Sequence, residues 1–292
     1  MATPAQQQPR FVVGLDIGGT KLLVACADET GRILDRIQEA TPPDLESGLK
    51  NLDRMIAAVS RGRPIAAMGA AVGGPLDWRR GIVSPLHQPA WRDVPLKAIL
   101  ESKWSCPFRV DVDTNVAALG EYHFGGERAS RLLYLTLSTG MGGGFLMDGK
   151  IYRGRDGIHP EAAHQSIAFR CRHPDRVTCE CGASGCLEAL VSGNGIRRIY
   201  GKPAERLAPE EWQEVASNLG QGLRNLAVLY APEVIVLGGG VALGGGKRLV
   251  EAAAGHMAEG LRLVPAPAVR LSRLGYDTAL MGAIAIALYS ES

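Results

Sequence analysis

The sequence predicts an α/β protein made of two related halves. Glycine is abundant, with 37 residues among 292, and its clusters directly follow apolar runs that are typical of β-strands. Two segments of this kind resemble each other. Each contains an apolar run, a glycine turn, a second apolar run and a polar turn, and the two start about 120 residues apart. A spacing this long indicates a duplicated domain and not a short-period repeat.

Length and composition agree with an ordinary globular chain. Hydrophobic residues make up 46% and charged residues 21%, and 292 residues suffice for one large or two ordinary domains. A net charge of +2 gives no reason to expect nucleic acid or a membrane surface as a partner. The first ten residues lack a signal-peptide core, and the apolar run 279–289 is too short to span a bilayer. We therefore expect a cytoplasmic protein, in which clustered cysteines indicate metal binding or catalysis more than disulfides.

The first half contains FVVGLDIGGTKLLVACADETGRIL, which starts at Phe11 and predicts three strands joined by a glycine turn and a DETG turn. A helix is predicted over 46–61. The apolar run AAMGAAV then precedes Gly73 and Gly74. A second helical pattern over 115–124 follows Asp113 and Thr114, which are favourable N-cap residues.

The second half contains LLYLTLSTGMGGGFLMDGKIYRG, which starts at Leu132 and repeats the same order with MDGK as its polar turn. Helices are predicted over 210–230 and 247–260. Between them, VIVLGGG places a third glycine turn after a strand. Any one of these turns is explained equally well by a tight hairpin without a ligand. Three of them at strand ends, in two similar halves, predict a nucleotide cleft.

The familiar phosphate-binding loops are missing from the sequence. It contains no G-x-x-x-x-G-K-[ST] and no G-x-G-x-x-G after a strand. The remaining scheme is a pair of facing glycine hairpins whose backbone N–H groups hold phosphates. Asp16 lies at a strand end, where a carboxylate can hold Mg²⁺ through water, and Thr20 and Thr139 supply hydroxyl groups for the phosphates.

Six separate motifs then follow one another: LDIGGTK, VDVDTNVAALGE, LSTGMGGG, EAAH, CECGASGCLE and VIVLGGG. Their order and spacing resemble the ROK family of sugar kinases and sugar-responsive repressors, from about residue 11 to the C terminus. The resemblance implies an actin-like, ribonuclease-H-like ATPase fold with ATP and sugar in a cleft between two domains, and a homodimer. We expect residues 1–117 plus 277–292 to form the first domain and 118–276 the second.

The resemblance assigns ATP contacts to three groups of residues. The first hairpin contributes Asp16, Gly18, Gly19, Thr20 and Lys21, the second contributes Thr139, Gly140, Gly142 and Gly143, and the adenosine turn contributes Gly239 and Gly240.

One carboxylate in VDVDTN is the expected general base. A kinase that acts on a sugar hydroxyl needs a carboxylate beside the attacking oxygen. The sequence pattern alone makes Asp113 a helix N-cap, whereas the resemblance makes it the base, and Asp111 is the weaker candidate. Many sugar kinases of the family have asparagine immediately before this aspartate. Val112 stands there in this chain and cannot hydrogen-bond, so the identity of the sugar stays open.

Cys179, Cys181 and Cys186 lie on one short loop, and such spacing is typical of a structural zinc site that needs four ligands. His164, Cys171 and His173 are the candidates for the fourth ligand, and the resemblance implies His164. Three reduced cysteines without a metal are the alternative. A zinc deaminase, suggested by His159-Pro-Glu161, is disfavoured because the cysteine pair is C-x-C and both glycine hairpins would go unexplained.

The resemblance also implies the sugar contacts. They are Gly74, Asp113, Glu161, His164 and Glu188, and the polar residues His87 and Gln88 lie near a further family position.

The predicted function is therefore an ATP-dependent hexose kinase with Mg²⁺ and a structural Zn²⁺. Glucose, phosphorylated at C6, is the first expectation, followed by N-acetylmannosamine or another N-acetylhexosamine and then fructose; polyphosphate as the donor stays open. The alternative of another class is a sugar-sensing regulator without catalysis. Because only ten residues precede Phe11, too few for a helix-turn-helix, we expect no DNA binding.

Overall fold

The structure is a computed structural model and describes residues 10–289. The chain divides into two compact units. The first contains the chain up to Gly120 together with the segment from Ala279 onward, and the second is Glu121–Thr278. These limits lie a few residues from the predicted domain limits at 117 and 276. Within residues 10–289, no helix is long and apolar enough to cross a membrane.

In the described part of the chain, residues 10–289, the first unit contains seven strands and three α-helices, and the helix α8 completes it. In chain order its elements are β1 (Phe11–Ile17), β2 (Lys21–Ala27), β3 (Ile33–Ala40), α1 (Leu45–Ser60), β4 (Ile65–Val72), β5 (Leu76–Asp77), β6 (Ile82–Val83), α2 (Leu96–Trp104), β7 (Phe108–Val112) and α3 (Asp113–His123). Five of the strands form a sheet of order β3-β2-β1-β4-β7, while β5 and β6 form a separate pair. β1 to β3 are antiparallel, and β1, β4 and β7 are parallel.

The C-terminal helix α8 (Thr278–Tyr289) packs closely on this sheet, and two glycines make the contact possible. Gly14 of β1 and Gly69 of β4 are paired across the sheet. A Cβ at Gly69 would lie 2.1 Å from the carbonyl oxygen of Ala283, and one at Gly14 would lie 2.7 Å from the side chain of Ile284. Neither position therefore accepts a side chain without moving the helix. The apolar run 279–289 is the buried helix that the sequence predicts.

The second unit contains the other strands and α-helices of residues 10–289, together with short 3-10 helices. The strands and α-helices are β8 (Arg131–Leu137), β9 (Met141–Met147), β10 (Lys150–Ile151), α4 (Glu188–Val191), α5 (Gly193–Tyr200), α6 (Pro209–Tyr230), β11 (Val234–Gly238), α7 (Gly240–Glu259) and β12 (Ala268–Leu271). Its sheet has the order β10-β9-β8-β11-β12, with an antiparallel meander at one side and parallel strands at the other. The two units thus share one strand order, which confirms the predicted duplication.

Helix boundaries agree with the sequence except at α7. The predicted ranges 46–61, 115–124 and 210–230 correspond to α1, α3 and α6. The predicted helix over 247–260 is too short, because α7 already begins at Gly240. Gly244, Gly245 and Gly246 occupy its first turns, and Gly246 has a φ of 60°, outside helical geometry. Three consecutive glycines weaken the helical pattern on which a sequence-based prediction depends.

Candidate active site and metal cluster

The first glycine hairpin joins β1 to β2. The N–H of Gly18 donates to the carbonyl of Lys21 at 3.0 Å and closes the turn. Thr41 anchors it from outside: its hydroxyl donates to the carbonyl of Gly18 at 2.6 Å, and its N–H donates to the carbonyl of Thr20 at 3.1 Å. Gly19 and Thr20 are exposed at the tip, and Asp16 is half-buried one residue before the end of β1.

Asp113 is exposed, although the residues on either side of it in the sequence are buried. It is the first residue of α3, and its neighbours Val112 and Thr114 are buried. Its Oδ1 accepts the N–H of Thr114 at 2.7 Å. Asp111 is only 1% exposed, and its Oδ1 accepts both the N–H of Val112 and the side-chain amide of Asn115, at 2.7 and 2.9 Å. Of the two candidate bases, Asp113 is thus the one that a ligand can reach.

Gly74 lies beside Val112 at the same edge of the sheet. β4 and β7 are parallel neighbours and are paired up to Val72 and Val112, so the residues that follow them lie close together. A Cβ at Gly74 would be 3.9 Å from the Cγ2 of Val112. The loop with His87 also approaches the first hairpin, since a Cβ at Gly19 would lie 2.9 Å from the Cβ of His87. Gln88, the neighbouring candidate, is buried, whereas His87 is exposed.

The second glycine hairpin joins β8 to β9. The N–H of Ser138 donates to the carbonyl of Gly140 at 2.9 Å, and Ser138 and Thr139 are exposed. Gly142 and Gly143 follow within β9. Gly143 is buried there, and a Cβ on it would lie 3.1 Å from the Cβ of Ala162. Its lack of a side chain therefore serves the packing of the turn that carries His164.

The third glycine turn follows β11, the parallel neighbour of β8. Gly238 pairs with Thr136, so this turn and the second hairpin lie at the same edge of the sheet. Gly239 has a φ of 84°, and a Cβ on it would lie 2.4 Å from the carbonyl oxygen of Leu137. Only glycine fits this position without strain. Gly240 then begins α7.

Four side chains from the cysteine segment lie together. The donor atoms of His164, Cys179, Cys181 and Cys186 all lie within 4.8 Å of one another. The Sγ of Cys179 is 3.5 Å from the Nδ1 of His164, and the sulfurs of Cys181 and Cys186 are 3.6 Å apart. Ideal tetrahedral zinc bonds require about 3.6 Å between sulfur and nitrogen and about 3.8 Å between two sulfurs. Three thiol groups and one imidazole at this spacing fit a closed structural zinc site.

Backbone pairing explains how His164 reaches the cysteines. Ser166 forms an isolated antiparallel bridge with Cys186. The N–H of Leu187 donates to the carbonyl of Gln165 at 3.0 Å, and the N–H of Ile167 donates to the carbonyl of Gly185 at 3.2 Å. The backbone directly after His164, residues 165–167, is therefore paired with the backbone around Cys186, residues 185–187, and this pairing brings His164 to the cysteines.

The stretch between Ile167 and Cys179 is bound to helix α6 and not to the cluster. Asn218 on α6 bonds to the backbone N–H and carbonyl of Arg170, at 3.0 and 2.9 Å, and Glu214 accepts the N–H of Arg172 at 3.3 Å. Cys171 and His173, the other candidates for the fourth ligand, are absent from the group of donor atoms found among residues 10–289.

The cluster has an unusual titration pattern. Burial, followed by hydrogen bonds to Cys181 and Cys179, raises the pKa of the Cys186 thiol to about 12. The pKa of Cys181 is lowered, chiefly because the N–H of Ala183 donates to its sulfur. The thiolate is the form that binds a metal, so metal binding at Cys186 is accompanied by loss of its proton.

Two carboxylates adjoin the cluster. Glu161 is exposed, and its Oε2 lies 4.0 Å from the Nε2 of His164. Because Nδ1 of this ring points toward Cys179, Nε2 is the nitrogen left for other contacts. Glu188 is half-buried: its Oε1 lies 3.8 Å from the Sγ of Cys179, and its Oε2 accepts the N–H of Met141 at 2.9 Å. The second of these contacts was not predicted from the sequence.

Comparison with known proteins gives the family. The sequence profile of the ROK family matches residues 12–290. This chain belongs to the ROK family. It is 30% identical over 266 residues to the glucokinase of Streptomyces coelicolor, and the aligned region covers 79% of this chain and 82% of that relative.

Two solved structures extend the similarity to the fold. The ROK hexokinase of Thermus thermophilus is 34% identical, with a TM-score of 0.83, over 95% of this chain and 97% of that structure. A ROK-family glucokinase from Streptomyces griseus, solved with glucose and AMPPNP, is 31% identical, with a TM-score of 0.78, over 95% and 99%. The predicted actin-like α/β fold is thereby confirmed, and the chain is a sugar-kinase-like member of its family.

Proposed function

We propose that this protein is an ATP-dependent hexose kinase that phosphorylates glucose at C6. The observation that carries the proposal is the exposed carboxylate of Asp113, at the start of α3 and beside the glycine turn after β4, in a chain with two equivalent glycine hairpins. The glucokinase from Streptomyces griseus bound glucose and AMPPNP, and this supports both the sugar and the donor.

In the proposed reaction, Asp113 accepts the proton of the sugar hydroxyl as that oxygen forms its bond to the terminal phosphorus. The bond between this phosphorus and the bridging oxygen breaks, and ADP leaves with the electron pair. Backbone N–H groups at Gly18 to Thr20 and at Thr139 and Gly140 hold the phosphates. Gly239 and Gly240 leave room for the adenosine. We give Gly142 and Gly143, which lie past the turn, a minor part.

Mg²⁺ neutralises charge on the phosphates when the nucleotide is bound. The half-buried carboxylate of Asp16, near the end of β1, is suited to hold the cation through water, and Lys21 begins the next strand. Zinc has a different task. His164, Cys179, Cys181 and Cys186 would hold it in a closed site, where it shapes the loop and takes no part in the chemistry.

Glu161, His164 and Glu188 are assigned to the sugar hydroxyls. His164 offers Nε2, since its Nδ1 points to the cluster, and Glu188 offers Oε1, since its Oε2 is bonded to Met141. Charged groups form strong hydrogen bonds with hydroxyls and so favour a polyol ligand. In the first unit, Gly74 and the methyl groups of Val112 lie side by side and offer no donor or acceptor side chain, so they would form no hydrogen bond with a sugar hydroxyl.

A coupled ADP-release assay tests this proposal. Glucose, mannose, fructose, N-acetylglucosamine and N-acetylmannosamine are each supplied with ATP and, separately, with polyphosphate. We expect glucose with ATP to give the highest kcat/KM. A preference for N-acetylmannosamine or fructose would keep the kinase and change the substrate. If sugars bind but no ADP or phosphate transfer is detected with any of them, the protein is a sugar-sensing regulator and the proposal is wrong.

A further inference from the structure

The second glycine hairpin is anchored by residues that follow the cysteine loop. The N–H of Gly193 donates to the carbonyl of Ser138 at 2.7 Å, and the N–H of Asn194 donates to the carbonyl of Thr139 at 3.0 Å. Glu188 adds the third contact, since its Oε2 accepts the N–H of Met141. One segment, 188–194, therefore forms hydrogen bonds with three residues of the turn: Ser138, Thr139 and Met141.

Glu188 is in contact with both the hairpin and the cluster. A Cβ on Gly140 would lie 3.1 Å from its Oε2, so the carboxylate lies directly against the turn. Its Oε1 lies 3.8 Å from the Sγ of Cys179. In sequence it stands two residues after Cys186, which is fully buried. A displacement of the cysteine loop therefore changes the position of this carboxylate.

The loop depends on a central partner for its shape. Three thiol groups and an imidazole within 4.8 Å of one another form only weak hydrogen bonds among themselves, the closest at 3.5 and 3.6 Å. Gly182 and Gly185 have φ angles of 87° and 73° and add backbone freedom. A metal bound to all four donor atoms would restrict the loop to one conformation, as closed zinc sites do.

We propose that Glu188 is a positioning residue that couples the His–Cys cluster to the second glycine hairpin, so that metal binding in the cluster sets the affinity of the hairpin for a triphosphate chain. This inference rests on the proposed function for one point, namely that the ligand of the hairpin is a triphosphate chain. A charged acceptor on the N–H of Met141 fixes the turn before the nucleotide arrives, and a preorganised turn loses less entropy on binding.

Hydrogen exchange of the wild-type chain tests the coupling without any substitution. Exchange of the segment 138–144 is compared before and after removal of the metal with a chelator. We expect exchange to rise in this segment and to stay unchanged in the first hairpin, 17–21, which Thr41 anchors. Unchanged exchange in 138–144 after complete metal removal would overturn the proposal, whatever reaction the protein catalyses.

A pair of substitutions tests the residue. Affinity for AMPPNP is measured without sugar, so that any role of Glu188 in sugar binding has no influence. Glu188→Ala removes the acceptor for the N–H of Met141 and is expected to weaken binding about tenfold. Glu188→Gln keeps a neutral acceptor and should recover most of this loss. Glu180→Ala, an exposed carboxylate on the same loop, is the control and should bind like the wild type.

Metal removal completes the cycle. It should weaken AMPPNP binding in the wild type but cause little further loss in Glu188→Ala, because the connection is already broken. Equal losses in both proteins would show that the metal acts by another route and would overturn the coupling through Glu188. If the wild type binds no AMPPNP at all, the proposed donor is wrong, while the exchange experiment still decides on the coupling. Should Glu188→Ala fail to fold, the exchange experiment on the wild-type protein still tests the coupling.

Discussion

The two glycine hairpins occupy the same position in two sheets of the same strand order, yet they are anchored differently. The first is held by Thr41, 23 residues away in the sequence, which follows β3 in the same meander. The second is held by Glu188, Gly193 and Asn194, which follow the cysteine loop. The first hairpin is therefore anchored by hydrogen bonds from its own meander, whereas the second is anchored by a segment that follows a metal-binding pattern.

The two units also carry different groups of the proposed active site. The first unit carries the exposed carboxylate Asp113 and a hairpin that Thr41 anchors. The second unit carries the cluster, the proposed sugar ligands and a hairpin fixed by the same segment. We therefore expect substitutions at the anchor of one hairpin to leave the other hairpin unchanged.

The largest effect is expected for Asp113→Asn. The amide cannot accept the hydroxyl proton, so kcat should fall by about 10²- to 10⁴-fold, while the dissociation constant of glucose changes little. Steady-state kinetics and calorimetry measure the two quantities. Hydrogen exchange in both hairpins should stay at the wild-type level. The exposed Glu46→Gln serves as a control for loss of a carboxylate. Near-normal turnover of Asp113→Asn would remove Asp113 as the base.

Loss of a metal ligand comes next. Wild-type protein should contain about one zinc per chain, and Cys181→Ser should contain none, as measured by elemental analysis. We expect kcat/KM to fall more than tenfold, since both the sugar ligands and the second hairpin lose their fixed positions. Cys171→Ser is the matched control, because Cys171 lies outside the cluster, and it should keep its zinc and its activity. A Cys171→Ser variant without zinc would contradict the ligand set.

A smaller effect is expected at Thr41. Thr41→Val removes the 2.6 Å hydrogen bond to the carbonyl of Gly18 and should raise the KM for ATP about fivefold, with zinc content unchanged. Thr41→Ser retains the hydroxyl and should restore the wild-type value. If Thr41→Val instead altered hydrogen exchange in the second hairpin, the two anchors would not be independent, and the comparison would fail.

The smallest effect is expected at Gly193. A Cβ at this position would lie 2.9 Å from the carbonyl oxygen of Ser138, so Gly193→Ala must displace the second hairpin slightly. We expect the free energy of unfolding to fall by about 1 kcal/mol, which lowers the Tm by a few degrees. AMPPNP binding should weaken about threefold. Gly255→Ala is the control: it has open space around its Cβ within α7, and its Tm should stay equal or rise. Equal Tm values for both variants would argue against tight packing at Gly193.

Much of the fold could be predicted from the sequence, because strands and helices leave periodic patterns. The duplicated hairpins and helices α1, α3 and α6 agree with the predicted ranges. The first turns of α7 were missed, since Gly244 to Gly246 carry no helical pattern. The spacing of the three cysteines also predicted a cluster, which the structure forms with His164.

The anchors of the hairpins could not be predicted in this way. Glu188 and Met141 are 47 residues apart, and the contact uses a backbone N–H, which no residue type reveals. Thr41 is equally ordinary in the sequence, because threonine occurs on many surfaces. Such contacts depend on tertiary packing, so they follow only once the strands and the cysteine loop have been placed. For the general base, the family resemblance already favoured Asp113 over Asp111, and the structure adds that Asp113 is exposed whereas Asp111 is 1% exposed.

Hydrogen exchange with and without AMPPNP and Mg²⁺ tests the central claim most directly, namely that both glycine hairpins hold the phosphates of one nucleotide. We predict that the nucleotide lowers exchange in the segments 17–21 and 138–141 together, in wild-type protein and in Asp113→Asn alike. Protection of only one hairpin, or of neither, at saturating nucleotide would contradict the account.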